Sequence, residues 1–197
     1  MNKLLLYGAS GHGKVVAEIA EENGFQIDYF IDRDTSKLAV FNYEVRHILP
    51  KEPSQMIISI GNNAIRRTII SELKNWIFPV LIHPKANLSR RIKLGEGSVI
   101  MAGVTMNANV SIGNHCIINT NCSVDHDCVL EDFVHLSPNV ALAGEVRIGE
   151  GSHIGIGASI IPGVNIGKWC TIGAGAVILH DVPDGATVVG NPGRKLK

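Results

Sequence analysis

The sequence predicts two unlike halves, an α/β Rossmann-like parallel-sheet domain over residues 1–83 and a triangular parallel β-solenoid with a C-terminal cap over 84–197. Three observations carry this expectation. From Leu88 to Ile178 every sixth residue is Leu, Ile, Val or Met, sixteen positions in one register. Two places before them stand mostly small residues such as Val104, Val110, Cys116, Cys122, Cys128, Ala158 and Ala176, while Gly95, Gly113, Gly149 and Gly167 recur at multiples of eighteen. Ahead of residue 84, short apolar runs alternate with amphipathic stretches, the pattern of strands alternating with helices.

The first half divides into elements in turn. Lys3–Tyr7 reads as a strand, Gly8–Gly13 as a tight loop, and Lys14–Asn23 as a helix with Val15, Val16, Ile19 and Ala20 on its apolar face. Gln26–Ile31 reads as a second strand ending at Asp32-Arg33-Asp34, and Met56–Ile60 as a buried strand leading to Gly61-Asn62-Asn63. Ala64–Asn75 completes the pattern as a second helix, and Ile77–Leu81 as a further strand.

A period of six suits neither an α-helix nor a hairpin strand. It suits a coil of three short sides, with the aliphatic residue aimed at the axis and corners in a strained backbone conformation that Gly, Asn or Asp tolerates. Stacked coils then pair as parallel strands about 4.8 Å apart. Residues 88–181 make slightly more than five such coils. Open solenoid ends need covers. The N-terminal domain is expected at one end and Val182–Val189 at the other.

Composition narrows the function. Lys+Arg and Asp+Glu both number 18, so no global field favours nucleic acid or a membrane surface. The opening apolar stretch is too short for a signal segment, and no run approaches the roughly 18 apolar residues of a membrane span. The expectation is a soluble cytoplasmic protein, in which Cys116, Cys122, Cys128 and Cys170 are reduced thiols.

Chemistry is expected in two places. Gly8–Gly13 joins a strand end to a helix start, where backbone N–H groups favour an anion such as a pyrophosphate. Its spacing is G-x-x-G-x-G rather than the dinucleotide G-x-G-x-x-G. Asp32 ends the next strand, where such folds place a carboxylate on a ribose or base, and Gly61-Asn62-Asn63 lies on the same sheet edge, so the three loops describe one crevice. In the solenoid, an inward Val124 places His126 at a corner where it projects outward beside Asp127. An outward His with an adjoining carboxylate suits a general base, and a solvated corner is the plain alternative. His135 and His153, eighteen apart, should stack in adjacent coils, but two ligands are too few for a metal site, and none is assigned. The Cys122/His126/Cys128 spacing mimics a ligand cluster, yet the register turns those thiols inward as buried small residues.

Taken together, Tyr7–Gly13, Ile60–Arg66, Leu81-Ile82-His83-Pro84, Asn119-Thr120, Asp125–Cys128 and the tail Gly190-Asn191-Pro192-Gly193-Arg194-Lys195 resemble the left-handed β-helix (hexapeptide-repeat) sugar acetyltransferases. The resemblance is to the UDP-N-acetylbacillosamine N-acetyltransferase and sialic acid O-acetyltransferase group. It implies acetyl-coenzyme A as co-substrate, no metal, and a homotrimer with active sites between subunits. It implies His126 as base, assisted by Asp127 where Glu is usual, with Asn119 by the acceptor. It further implies Ser10, Gly11, His12, Gly13, Asp32, Arg33, Gly61, Asn62 and Arg66 around a nucleotide-sugar. His135, Gly144, Gly157, Gly175, Asn191 and Pro192 would lie along acetyl-coenzyme A. The expected reaction is N-acetylation of a UDP-linked 4-amino sugar for a bacterial surface glycan. O-acetylation of sialic acid or another sugar hydroxyl stands as the alternative, with a metal-dependent hydratase and a non-catalytic scaffold as more distant ones.

Overall fold

The computed structural model describes residues 3–196. Five strands form the first sheet: β1 (Lys3–Tyr7), β2 (Gln26–Ile31), β3 (Ala39–Val40), β4 (Tyr43–Arg46) and β5 (Met56–Ile58), in the order β3-β4-β2-β1-β5. β1 pairs in parallel with β2 and β5. Helices α1 (Gly11–Glu22) and α2 (Asn63–Glu72) follow β1 and β5. Alternation along β1 divides the core. Leu4 and Leu6 pack with Val16, Ile19 and Ala20 of α1, while Leu5 and Tyr7 pack with Met56, Ile58 and Ile69 on the other face.

The observed elements differ from the sequence reading in several respects, α1 beginning at Gly11 rather than Lys14 and α2 ending at Glu72 rather than Asn75. α1 buries Ala17 rather than Val15, which is 40% exposed. The β3–β4 hairpin, too short to show a period, was not expected; it turns at Phe41, whose φ is 53°. Ile77–Leu81 does not complete the sheet. Ile77 makes a single parallel bridge to Gln55, and Leu81–Ile82 pairs with Val99–Ile100 as the first rung of the solenoid, just ahead of the expected boundary.

The solenoid has three faces of parallel two-residue strands. One runs from Leu81–Ile82 at intervals of eighteen from Val99–Ile100 to Thr171–Ile172; the second runs from Asn87–Leu88 to Val177–Ile178 and the third from Lys93–Leu94 to Asn165–Ile166. The inward residues, the cysteines among them, form one continuous buried core. Corners take positive φ at Asn109, Asn121, Asp127 and Asn139, as expected, but also at His115, Phe133, Glu145 and Trp169, where the coil imposes the conformation on residues that do not favour it. Thr187–Val189 extends the first face and is itself paired by Arg194–Lys195, so the C-terminal segment covers that end.

The N-terminal domain does not cover the other end. It lies along the side of the solenoid, and Leu88, Ile92 and Leu94 of the opening coil stay only partly buried. The contact is apolar where Val99, Met101 and Ile117 of the solenoid join the core of β1 and α1, and polar and periodic along α2. Arg66 and Asn63 of α2 reach the carbonyls of His115, Phe133 and Gly151, one per coil down a single corner. Below them Arg67 lies over the Trp169 ring at 4.6 Å. No helix among the described residues is long and apolar enough to cross a membrane.

Candidate active site

The loop after β1 is tight for two reasons. Gly8 has φ 123°, and a Cβ there would meet the Ser59 carbonyl oxygen at 2.7 Å; a side chain at Gly13 would meet the Gly8 carbonyl. Asp32, at the end of β2, closes this loop: its carboxylate accepts from Ala9 N (2.8 Å), Asp34 N (3.0 Å) and Lys37 Nζ (2.8 Å). Partial burial pushes its pKa up, but the hydrogen bonds from Lys37, Asp34 and Ala9 outweigh this and hold it below the usual carboxylate range. Ser10 stands before α1 with its side chain uncommitted, and Gly11 begins the helix. His12 in the first turn is held neutral, its pKa lowered to about 4 by burial and then by Arg66, and its Nε2 has no partner among the described residues.

A cleft of ≈ 450 Å³ opens at the carboxyl edge of this sheet, lined by Tyr7, Asp32, Arg33, Ile60, Ala64 and Ile65 among others. Arg33 crosses its rim, donating to the Tyr7 hydroxyl at 3.1 Å and to Glu72 at 2.9 Å. This cleft takes in Asp32 and Arg33 of the expected crevice but none of Gly8–Gly13, while Gly61 and Asn62 line a separate hollow of ≈ 460 Å³ with His135 and His153. Asn62 caps α2 by accepting from Ile65 N at 3.0 Å.

Arg66 stands elsewhere than the resemblance implied. It is 1% exposed, and its guanidinium donates to the carbonyls of His115 (2.8 Å), Ile60 (2.8 Å), Gly61 (3.4 Å) and Phe133 (2.9 Å) and to Asn63 Oδ1 (2.8 Å). All five donors of the fork are engaged within the protein, leaving none for a ligand.

The solenoid residues divide between two corners. At one, Asp127 Oδ2 accepts from His126 Nδ1 at 2.9 Å, while Asn109 donates to its other oxygen at 3.1 Å. Asp125 is held by Asn107 and accepts from His126 N. The Asp127 hydrogen bond, then Asp125, raises the His126 pKa above the ordinary imidazole value. The ring is half exposed and leans over Gly144 of the next coil, where a Cβ would come within 2.6 Å of Cε1 and Nε2. Glycine at 144 thus leaves room for the edge of the ring that carries Cε1 and Nε2.

At the preceding corner, Asn119 Nδ2 lies 3.4 Å from His135 Nε2, and His135 Nδ1 lies 3.2 Å from the Gly61 carbonyl. The Asn119 donor and the carbonyl acceptor together fix one neutral tautomer, with the proton on Nδ1. Burial, His153 and Arg66 lower the His135 pKa to about 3. His153 stacks on it at 4.8 Å, as the spacing predicts, and meets Ser137 Oγ at 2.8 Å. Gly157 and Gly175 turn this same edge two and three coils on with φ 67° and 65°. Asn191 and Pro192 are exposed beside Gly193, whose N–H donates to the Val177 carbonyl at 2.8 Å. One chain therefore gathers Asn119, His135 and Gly61 at one corner, and His126, Asp127 and Gly144 at the next.

Sequence reasoning put Asn63 in the crevice loop rather than at the domain contact, and missed Ser137 and the buried ring cluster in which Phe78 meets His115 edge-on at 4.9 Å and His115 stacks on Phe133 at 5.5 Å. The eighteen-residue column Gly97, His115, Phe133, Gly151, Trp169 was the available signal, with glycine wherever a neighbouring ring needs space.

Two domain families match the chain: the PglD N-terminal domain over residues 3–73, and the six-repeat bacterial transferase hexapeptide over 145–180. GDP-perosamine N-acetyltransferase of Escherichia coli O157:H7 is 32% identical, with 100% of this chain and 97% of that protein covered. The acetyltransferase domain of PglB from Neisseria gonorrhoeae FA1090 is 42% identical with a TM-score of 0.93, and 100% of both chains is covered. PerB from Caulobacter crescentus, solved with CoA and GDP-perosamine, is 35% identical with a TM-score of 0.94, over 100% of this chain and 98% of that one. Serine acetyltransferases of Bacillus species match over 64% of this chain, which spans about half their length, 52% for that of Bacillus subtilis (strain 168). With relatives aligned along its whole length, the chain belongs to the left-handed β-helix, hexapeptide-repeat sugar acetyltransferases that carry a PglD-type N-terminal domain.

Proposed function

We propose that the protein transfers the acetyl group of acetyl-coenzyme A to the amino group of a nucleotide-linked amino sugar, a UDP-4-amino sugar being the expected acceptor. The observation that carries this reading is His126, half exposed, paired through Nδ1 with Asp127 and seated over Gly144, with no protein partner on Nε2 among the described residues. Support for the substrate class comes from relatives described as acting on, or solved with, GDP-perosamine, and from the PglB domain solved with acetyl coenzyme A.

In this mechanism the carboxyl edge of the sheet, with Gly8–Gly13, Asp32, Arg33, Gly61 and Asn62, holds the nucleotide. The sugar amine then lies beside Asn119. His126 Nε2 takes a proton from the amine as its nitrogen attacks the thioester carbonyl. The Gly144 N–H donates to the oxyanion. Collapse breaks the carbon–sulfur bond, and the imidazolium returns the proton to the departing thiolate. No acyl-enzyme forms. Because Asn119 and His126 occupy different corners, the working site lies between two copies, the Asn119 corner of one facing the His126 corner of the next. The reading is accordingly of a cyclic trimer.

The test is thiol release from acetyl-coenzyme A with UDP-, GDP- and dTDP-linked 4-amino sugars and free sialic acids. His126→Ala should lose about 10²–10⁴ in rate while remaining folded and able to bind coenzyme A. Near-normal turnover of that variant would remove His126 as the base. Turnover with sialic acid alone would replace N-acetylation by O-acetylation.

A further inference from the structure

A groove of ≈ 670 Å³ separates α1 from the solenoid, above the Asn119 corner. Its floor is apolar, formed by Val15, Ile19, Met101 and Ala102, and its helix side carries the exposed carboxylates Glu18, Glu21 and Glu22. Glu22 meets His83 at 3.2 Å and Glu21 accepts from the Tyr43 hydroxyl at 2.6 Å, whereas Glu18 has no partner among the described residues. Val15, Glu18 and Glu22 share one stripe of the helix by their spacing, so this helix face is left uncovered in the single chain.

The opposite charge sits unpaired on another corner. Arg90 and Arg91 are exposed, and neither side chain has a partner among the described residues. They occupy the places of His126 and Asp127 two coils earlier in the eighteen-residue repeat. On the Asn119 corner, two coils earlier is His83, which lines the groove beside Glu22.

We propose that this groove seats the Arg90–Arg91 corner of a second copy of the chain, with Glu18 and Glu22 as its counter-charges. The inference rests on the reading of a site shared between copies. In a closed ring whose axis runs along the solenoids, neighbours are parallel and at one height. Bringing one copy's His126 to the next copy's Asn119 then carries Arg90 and Arg91 two coils up, about 10 Å, to the level of His83 and the α1 carboxylates. A two-fold dimer with its axis across the solenoids would run them antiparallel and break this register. Charge pairs at the rim of such an interface fix register and exclude wrong alignments, so the groove would set the height at which the two half-sites meet.

The experiment is a charge exchange read by sedimentation velocity and acetyl transfer. Arg90→Glu with Arg91→Glu, and separately Glu18→Arg with Glu22→Arg, should each weaken self-association about 10–100-fold at low salt and lower activity in step with the loss of assembly. Combining the four substitutions should restore both, with circular dichroism showing that every variant is folded. Wild-type assembly at either charge reversal, or no recovery in the combined variant, overturns the pairing while leaving the shared site standing. An active wild-type monomer overturns both. A wild-type trimer inactive on every acceptor removes the catalytic reading, and its sedimentation still decides the pairing.

Discussion

Replacing Arg66 by Met separates a structural tie from a ligand-binding residue. The substitution keeps much of the aliphatic stem but removes every donor to His115, Ile60, Gly61, Phe133 and Asn63. Burial lowers the Arg66 pKa only to about 10, so the lost group is a cation at neutral pH. Leaving a buried acceptor unsatisfied costs about 1–3 kcal/mol, and removing one partner from a buried charged network about 2–5 kcal/mol. The acceptors bridge the two domains and some admit water after the change, so a loss of about 3–5 kcal/mol is expected. For a chain of this size that lowers Tm by roughly 10 °C. Thermal unfolding by circular dichroism measures this, alongside KM for the nucleotide-sugar on the folded enzyme. A variant with Tm within about 3 °C of the parent (a loss of about 1 kcal/mol) and a nucleotide-sugar KM raised tenfold would refute the tie and return Arg66 to the ligand.

Three further outcomes follow from the same geometry. Asp127→Asn removes the first cause of the raised His126 pKa; since the base acts when neutral, the acid limb of the kcat/KM profile should move to lower pH while the rate falls, and an unmoved limb would assign it to another group. Gly144→Ala puts a methyl where the His126 ring lies, so the ring must swing away from Asp127; about 10²-fold loss of kcat is expected with Tm nearly unchanged, and full activity would show that the ring position is immaterial. His115, 3% exposed and lowered from 6.5 to about 4 by burial and then Arg66, favours unfolding when protonated. Its contribution is whole above pH 6.5 and is lost as pH falls toward 4; in urea titrations, His115→Leu should make the pH dependence of unfolding shallower by about 1.4 kcal/mol per pH unit in that window, and an unchanged slope would place the proton elsewhere.

Much of this architecture was legible in order. The six-residue period named the inward residues of the solenoid, the stacking of His135 on His153 and the outward corner at His126, because each follows from a repeat applied locally at every coil. The place of Asp32 and Arg33 at the sheet's carboxyl edge was legible for the same reason, since they follow their strand directly, whereas the parting of Gly61 and Asn62 into a hollow beside His135 was not. The short hairpin at Ala39–Arg46 carried too few residues to show a period. The inward cysteines were separable from a metal pattern only because the register turned all of them to the axis.

What the sequence by itself determined is therefore the coil, its direction of facing, and the chemistry available at each corner. What the tertiary structure decided is how the halves meet. A polar side chain on an isolated helix declares no target, and Arg66 becomes a tie only because α2 lies along a corner whose carbonyls come from residues 49 and 67 positions away. The bond from His135 to Gly61, spanning 74 positions, joins the loop after β5 to the Asn119 corner by the same docking. Such contacts arise from packing between distant segments, which no local period encodes.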